Sequence, residues 1–270
     1  MNETTLFTIT FVAYIITAFF YFSFLFSKKE SWAKIGYNFA FLGLFTHTAA
    51  LVWRLFVSGH APFTNMYESL SFLAWASILA YVIIEGMFKM KKAGPYFMLI
   101  VIGLMALASS PLMPKDAAPL VPALQSYWVW LHVSVTMIGE AFFAIAFVTS
   151  IMYLIADSKQ KKGVKTGLSA EKLDEVSYKC IAIGFPLFTL GGLVFGMVWA
   201  YKAWGAYWSW DPKEVWSLIT WFVFALYLHT RLVMGWKGRR SAIVAIIGFL
   251  AALFTYFGVN YLLAGLHSYA

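Results

Sequence analysis

The stretch WGAYWSWDPKEVWSLITWFVFALYLHTRL, residues 204–232, contains the loop and the helix on which the reading of this chain turns. Its second part decides the fold class. After Glu214 the chain runs apolar for the ~20 residues that a helix needs to cross the hydrocarbon core of a bilayer. Asp211-Pro212-Lys213-Glu214 is a helix start: Asp as N-cap, Pro at the first helical position and Glu at the third, completing a capping box. The first part is dense in indole. Trp204, Trp208, Trp210 and Trp216, with Tyr207 among them, crowd a chain in which only 12% of residues are charged.

Outward from this stretch the pattern repeats. Hydrophobic residues make up 61% of the 270 and aromatic residues 20%, and the mean hydropathy is +0.74, which excludes an ordinary soluble domain. The apolar runs are continuous rather than alternating, which excludes a closed barrel. The predicted fold class is therefore all-α: a polytopic integral membrane protein with eight transmembrane helices over 6–26, 36–57, 67–88, 96–113, 128–156, 178–201, 214–236 and 241–264. MNETTLFTIT lacks a basic n-region, and no small-residue cleavage site follows in FFYFSFLFSKKE, so the first span is expected to stay. No internal repeat or separate soluble domain is visible, and residues 1–270 read as one transmembrane domain.

Basic residues orient the spans. Lys28, Lys29 and Lys34 follow span one, and Lys89, Lys91 and Lys92 follow span three. Lys159, Lys161, Lys162 and Lys165 follow span five; Lys237, Arg239 and Arg240 follow span seven. The positive-inside rule makes these loops cytoplasmic, so both termini and the Trp-rich loop, about 202–217, are expected to be extracytoplasmic. The net charge of +8 then faces anionic lipid and calls for no nucleic acid. Cys180 is the only cysteine, so thiol chemistry belongs to another molecule. SSPLMPKDAAPLVPALQS, with four of the eight prolines, reads as an ordered non-helical lid. A short amphipathic helix is predicted from Ser169 into span six, where Gly184 with Pro186, and Gly191 with Gly192, predict a kink or close packing.

Asp211 has two readings, a helix cap and a functional carboxylate, and both stay open. One or two interfacial Trp are ordinary; the cluster here exceeds that. An aromatic shelf beside Lys202 and Lys213, at a helix N-terminus, suits a large flat conjugated ligand carrying carboxylates, a description that haem fits. Of five histidines, His132 and His267 fall at the same predicted face as the shelf, where two imidazoles approach an iron from opposite sides. His229 is predicted to lie about 22 Å along span seven, and His47 mid-membrane in span two, where ionisable groups are costly. For His47, packing beside Thr46 and Thr48 is an equal alternative to ligation. Glu85 and Glu140 need partners, and Arg54 is a candidate for one of them.

WGAYWSWDPKEVWS resembles the tryptophan-rich WWD signature of haem-handling proteins. SGHAPFTNMYESLSFLAW, WLHVSVTMIGEAFF, YLHTRL and the terminal GLHSYA extend the likeness over nearly the whole chain, which is similar to the CcsA (ResC-like) subunits of system II cytochrome c biogenesis. The resemblance implies delivery of haem b across the membrane and its covalent attachment to apocytochrome c, by a subunit of a cytochrome c haem lyase (holocytochrome c synthase). It implies His132 and His267 as external iron ligands against Trp204, Trp208, Trp210 and Asp211, with Tyr207, Lys202 and Lys213 as lesser contacts. It implies His229 as the intramembrane ligand, faced by a ResB-like membrane partner, with His47 as second choice for that opposing role. A reduced Cys-x-x-Cys-His segment is the implied substrate, thiol-reducing proteins are indirect partners, and the bacterial cytoplasmic membrane is the implied location. Two other readings are a haem exporter of a related system, which needs a separate haem chaperone, and a proton or cation transporter using His47, His229, Glu85 and Glu140, which leaves the Trp cluster idle.

Overall fold

The computed structural model describes residues 3–113, 115–116, 120–164, 167–263 and 265. Among them the regular structure is helical throughout, and eight helices are long and apolar enough to cross a membrane: α1 (Glu3–Ser27), α2 (Glu30–Ser58), α3 (Met66–Phe88), α4 (Lys91–Ser109), α5 (Tyr127–Lys161), α6 (Ala170–Trp204), α7 (Pro212–Leu232) and α8 (Arg239–Leu262). The chain is a multi-pass membrane protein. Local chemistry moved the predicted ends of two spans. α4 stops at Ser109, short of 113, because Ser110 is extended ahead of Pro111. α7 stops at Leu232 rather than 236, and Gly235 and Gly238, at φ +66° and +73°, turn the chain into α8. The short helix expected from Ser169, whose hydroxyl accepts from Lys172 N, continues into α6.

The chain divides into two compact units, Met1–Leu120 and Val121–Ala270. In the first, α3 is buried on most of its surface, as a helix apolar all round should be. Tyr14, Tyr21 and Tyr81 are enclosed entirely. Arg54 of α2 corrects an expectation. It serves neither Glu85 nor Glu140 but ion-pairs with Glu68 at 2.9 Å and Glu3 at 3.1 Å, and donates to the Lys115 carbonyl at 2.8 Å. Asn65 caps α3 by accepting from Glu68 N, while the Glu68 carboxylate reaches back to Thr64 N at 2.8 Å. The proline-rich stretch contains a turn at 110–113 and a single 3-10 turn, Pro122–Leu124; residues 114 and 117–119 lie outside the described set.

The second unit is built on α5. A Cβ on Gly184 would lie 2.8 Å from the Gly139 carbonyl, and one on Gly139 2.9 Å from Phe188 N, so small residues let α5 and α6 touch backbone to backbone. Phe143 of α5 stacks on Phe224 of α7 at 3.7 Å. Asp174, near the start of α6, pairs with Arg231 at 2.7 Å and accepts from Gly238 N at 2.8 Å, which fixes the far end of α7. Pro186 does not break α6. The departure from α-geometry comes three residues later, in a π-helical segment at Thr189–Phe195, and a second one occupies Phe254–Gly258 of α8.

Candidate functional site

His132 sits on α5 a turn and a half beyond its N-cap, Ser126. Its ring meets the π-segment of α6: Nδ1 is 2.8 Å from the Gly191 carbonyl oxygen. A carbonyl only accepts, so Nδ1 carries the proton and, in the neutral ring, Nε2 carries the lone pair. Trp199, one turn past Gly196 and buried, lies parallel to the imidazole, with 12° between the planes and 5.5 Å between centroids. Its own indole N–H is anchored on the Ala123 carbonyl at 2.8 Å. Trp204 meets Trp199 edge to face at 4.8 Å. The first Trp of the predicted shelf is thereby joined to the predicted ligand through a third ring.

The remainder of the loop is more open. Gly205 ends α6 at φ +79°, where its N–H donates to the Tyr201 carbonyl. Tyr207 stacks on Tyr201 at 4.4 Å, and Trp208 meets Trp210 edge to face at 5.9 Å. Trp210 is held at φ +59° and is 71% exposed, an unusual conformation for a bulky residue. Asp211 is buried and performs the capping job in full: Oδ1 accepts from Lys213 N, and Glu214 accepts from Asp211 N and from Ser209 N. Oδ2 faces the segment after α8, 2.5 Å from where a Gly265 Cβ would stand. Two predicted shelf members turn inward. Lys213 donates its ammonium to Asn260 Oδ1 at 2.9 Å, and Trp216 packs on Phe254 at 4.2 Å. Lys202 remains exposed at the edge of the loop.

The other histidines differ sharply. His229 is exposed on α7, in a stripe with Ile219, Phe222, Leu226 and Val233, two residues before the Arg231–Asp174 pair. His47 is fully buried, with Nδ1 3.0 Å from Tyr14 Oη and Nε2 3.0 Å from Ser71 Oγ. Both nitrogens are engaged, so the second-choice ligand role for His47 gives way to packing. His267 lies outside the described residues. Glu140 is buried on α5, with Lys213 as its electrostatic partner. Among the described residues, no group of three or more His, Cys, Asp or Glu converges on one point.

Sequence reading missed Trp199 and Gly196, and took Gly191 only as a kink or close-packing signal. Gly191 and Gly196 are five apart, a spacing that scatters residues around an α-helix. The π-segment, whose Gly196 N–H bonds to the Gly191 carbonyl, brings them to one face. The faint signal was Gly191-Gly192 with Gly196, a small-xxx-small pattern beside a Trp.

Comparison with known proteins bears on this arrangement. A family model described as Cytochrome C assembly protein matches residues 63–267. Cytochrome c biogenesis protein CcsA of Gloeobacter violaceus is 35% identical over a 311-residue alignment that covers 94% of this chain and 92% of that one. The CcsA of Synechococcus sp. (strain CC9605) is 42% identical over 250 residues, covering 82% of each chain. Among solved structures the chain is similar to Cytochrome c Heme Lyase CcmF, with a TM-score of 0.70 at 15% identity. That match covers 95% of this chain but 47% of CcmF, and it is a likeness of fold.

Proposed function

Because the chain belongs to the cytochrome c assembly protein family, we propose that it delivers haem b across the membrane and attaches it to apocytochrome c, as a haem-lyase subunit completed by a ResB-like membrane partner. Cytochrome c maturation is the process that membership assigns. The observation that carries the finer reading is the fixture around His132: a half-buried imidazole whose Nδ1 is committed to a backbone carbonyl, leaving the lone pair on Nε2, beside a wall of indoles. That donor suits an iron porphyrin, since ligating imidazoles characteristically donate their other N–H to such a partner.

In this reading His132 supplies one axial ligand at the outer site and His267 the other. Trp204, Trp208 and Trp210 face the ring, and Lys202 at the loop edge meets its carboxylates. Asp211 holds the loop to the head of α7. His229, exposed on α7, is the inner ligand, opposed by a residue of the ResB-like partner seated on that face. The positive-inside rule applied to the basic loops supports an indole loop outside the bacterial cytoplasmic membrane. Each thiol of a reduced Cys-x-x-Cys-His segment adds across one vinyl group, with sulfur bonding to one carbon and the thiol proton passing to the other. This chain contributes positioning, which converts a bimolecular encounter into an effectively unimolecular one.

The test uses the complex with its partner. His229→Ala is expected to deplete haem from the whole complex. His132→Ala is expected to keep haem at the inner site and stop attachment outside. The measurements are haem per complex, axial-ligand spectroscopy and yield of holocytochrome. Full haem and normal maturation in both variants would sink the reading. Reporters fused after Ala270 or within 202–213 should be extracytoplasmic and those within 157–168 cytoplasmic; a cytoplasmic C-terminus would remove His267 from the outer site.

A further inference from the structure

The π-helical segment of α6, at Thr189–Phe195, falls opposite His132. A π-turn inserts one residue into a helix and is a local cost to backbone geometry, which is why such turns concentrate at functional sites. Here three features converge on one ring. The Gly191 carbonyl lies 2.8 Å from His132 Nδ1 while also accepting the Gly196 N–H, so both of its lone pairs are used. A Cβ on Gly196 would stand 3.1 Å from both Cε1 and Nδ1 of His132, so the backbone of α6 forms one wall of the imidazole slot. Trp199 forms another as a parallel plate, anchored in turn by its bond to Ala123 and by Trp204. The approach that permits this is closed to any side chain at position 191, where a Cβ would run into the Thr136 amide nitrogen.

We infer that Gly191, Gly196 and Trp199 are positioning residues for His132: the π-segment supplies the carbonyl that selects the Nδ1–H tautomer, and Trp199 sets the ring plane, so that Nε2 is presented as an iron ligand. This deepens the proposed function and rests on its assignment of His132 as an outer ligand. An N–H donated to a carbonyl makes the opposite nitrogen a stronger donor and fixes the direction of its lone pair; loss of such a supporting partner typically costs ~10–100-fold in metal affinity. The α-helical register would place no carbonyl there, because the face shared by residues 191 and 196 exists only through the i→i+5 bond.

Two measurements test this on the partner-containing complex, with Gly196→Ala as the mild variant, Trp199→Ala and Gly191→Ala as the stronger ones, and His132→Ala as the reference. The first uses haem-free protein labelled with 15N-histidine. The native protein should show the His132 ring in the Nδ1–H tautomer, and Gly196→Ala and Trp199→Ala should convert it to a tautomer mixture. The second titrates haem. The three variants should weaken outer-site binding ~10–100-fold, convert part of the low-spin signal to high-spin, and raise the midpoint potential of the haem still bound, because a weaker donor stabilises the ferric state less. Added imidazole should restore the low-spin signal, and inner-site haem should stay at the native level. Trp221→Phe removes a comparable α7-to-α6 indole bond, Nε1 to Thr189 Oγ1 at 2.9 Å, and should change none of these readings. Native tautomer, affinity and potential in Gly196→Ala and Trp199→Ala, with ligation lost in His132→Ala, would overturn the positioning role and leave the function standing. Unchanged outer ligation in His132→Ala would overturn both.

Discussion

His47 in the first unit and His132 in the second are both imidazoles on apolar helices, and each has polar atoms within 3.0 Å, yet they are built for opposite ends. Side chains on two neighbouring helices, Tyr14 and Ser71, engage both nitrogens of His47, in a ring with no exposure at all. Backbone engages Nδ1 of His132, in a ring that is half-buried, held between a glycine edge and an indole face. Two side-chain partners satisfy a buried polar group and lock three helices together. A backbone carbonyl at Nδ1 fixes the tautomer and with it the direction of the Nε2 lone pair. A histidine deep in a membrane protein is therefore better judged by what each nitrogen meets than by its depth.

The contrast can be broken experimentally, and the largest effect should fall on His132. His132→Ala should lower holocytochrome yield by more than the ~10–100-fold that loss of a mere supporting partner costs, with helicity and melting temperature near native. His47→Ala should leave haem per complex unchanged; a large loss of haem there would erase the distinction. Next comes the ion cluster of the first unit. Arg54→Met leaves the Glu68 carboxylate buried beside no cation, and the cost should be ~3–5 kcal/mol in thermal or denaturant melting. The triple variant with Glu3→Gln and Glu68→Gln should recover most of it, since pairing rather than charge is what burial demands. His47→Ala should follow at ~1–3 kcal/mol for each of the two hydroxyls left without a partner, read by the same melt.

The smallest effect sharpens the reading of Asp211. Asn caps helices about as well as Asp, so Asp211→Asn should change stability by only a few tenths of a kcal/mol, against ~1 kcal/mol for Asp211→Ala. If Asp211→Asn melts like the native protein yet matures no cytochrome, the carboxylate acts beyond its cap, at the Gly265 contact or on the ligand. Normal maturation in Asp211→Asn would make capping its whole role.

Much of the fold was readable because its determinants are local. Eight apolar runs gave eight helices, and Asp-Pro-Lys-Glu at 211–214 gave the capping box bond for bond. Ser169 likewise opened the helix expected of it. Caps and spans depend on residues within a turn or two of each other, or on mean hydropathy over a run, and neither needs a partner helix. The misplaced ends of α4 and α7 were also local, at Ser110 before Pro111 and at the positive-φ glycines 235 and 238. The site was readable only as residue types. Histidine and indole were seen to share a face, but Lys213 and Trp216 were assigned to a shelf from which both turn away, and Arg54 was offered to the wrong carboxylates.

By itself, then, the sequence determined that this chain spans a membrane eight times, that Ser169 and Asp211 open two of its helices, and that a tight cluster of Trp joins two of them. Only the tertiary structure decided which nitrogen of which histidine carries a lone pair. His132 and Gly191 are 59 residues apart, Tyr14 and His47 are 33 apart, and each bond depends on the rotation of one helix about its axis against another. That rotation is set by packing, here by glycines that let α5 and α6 touch and by a π-turn that shifts the face of α6 by one residue. A change of one residue in helical register redirects every side chain and carbonyl beyond it, and no local preference of the chain encodes the result.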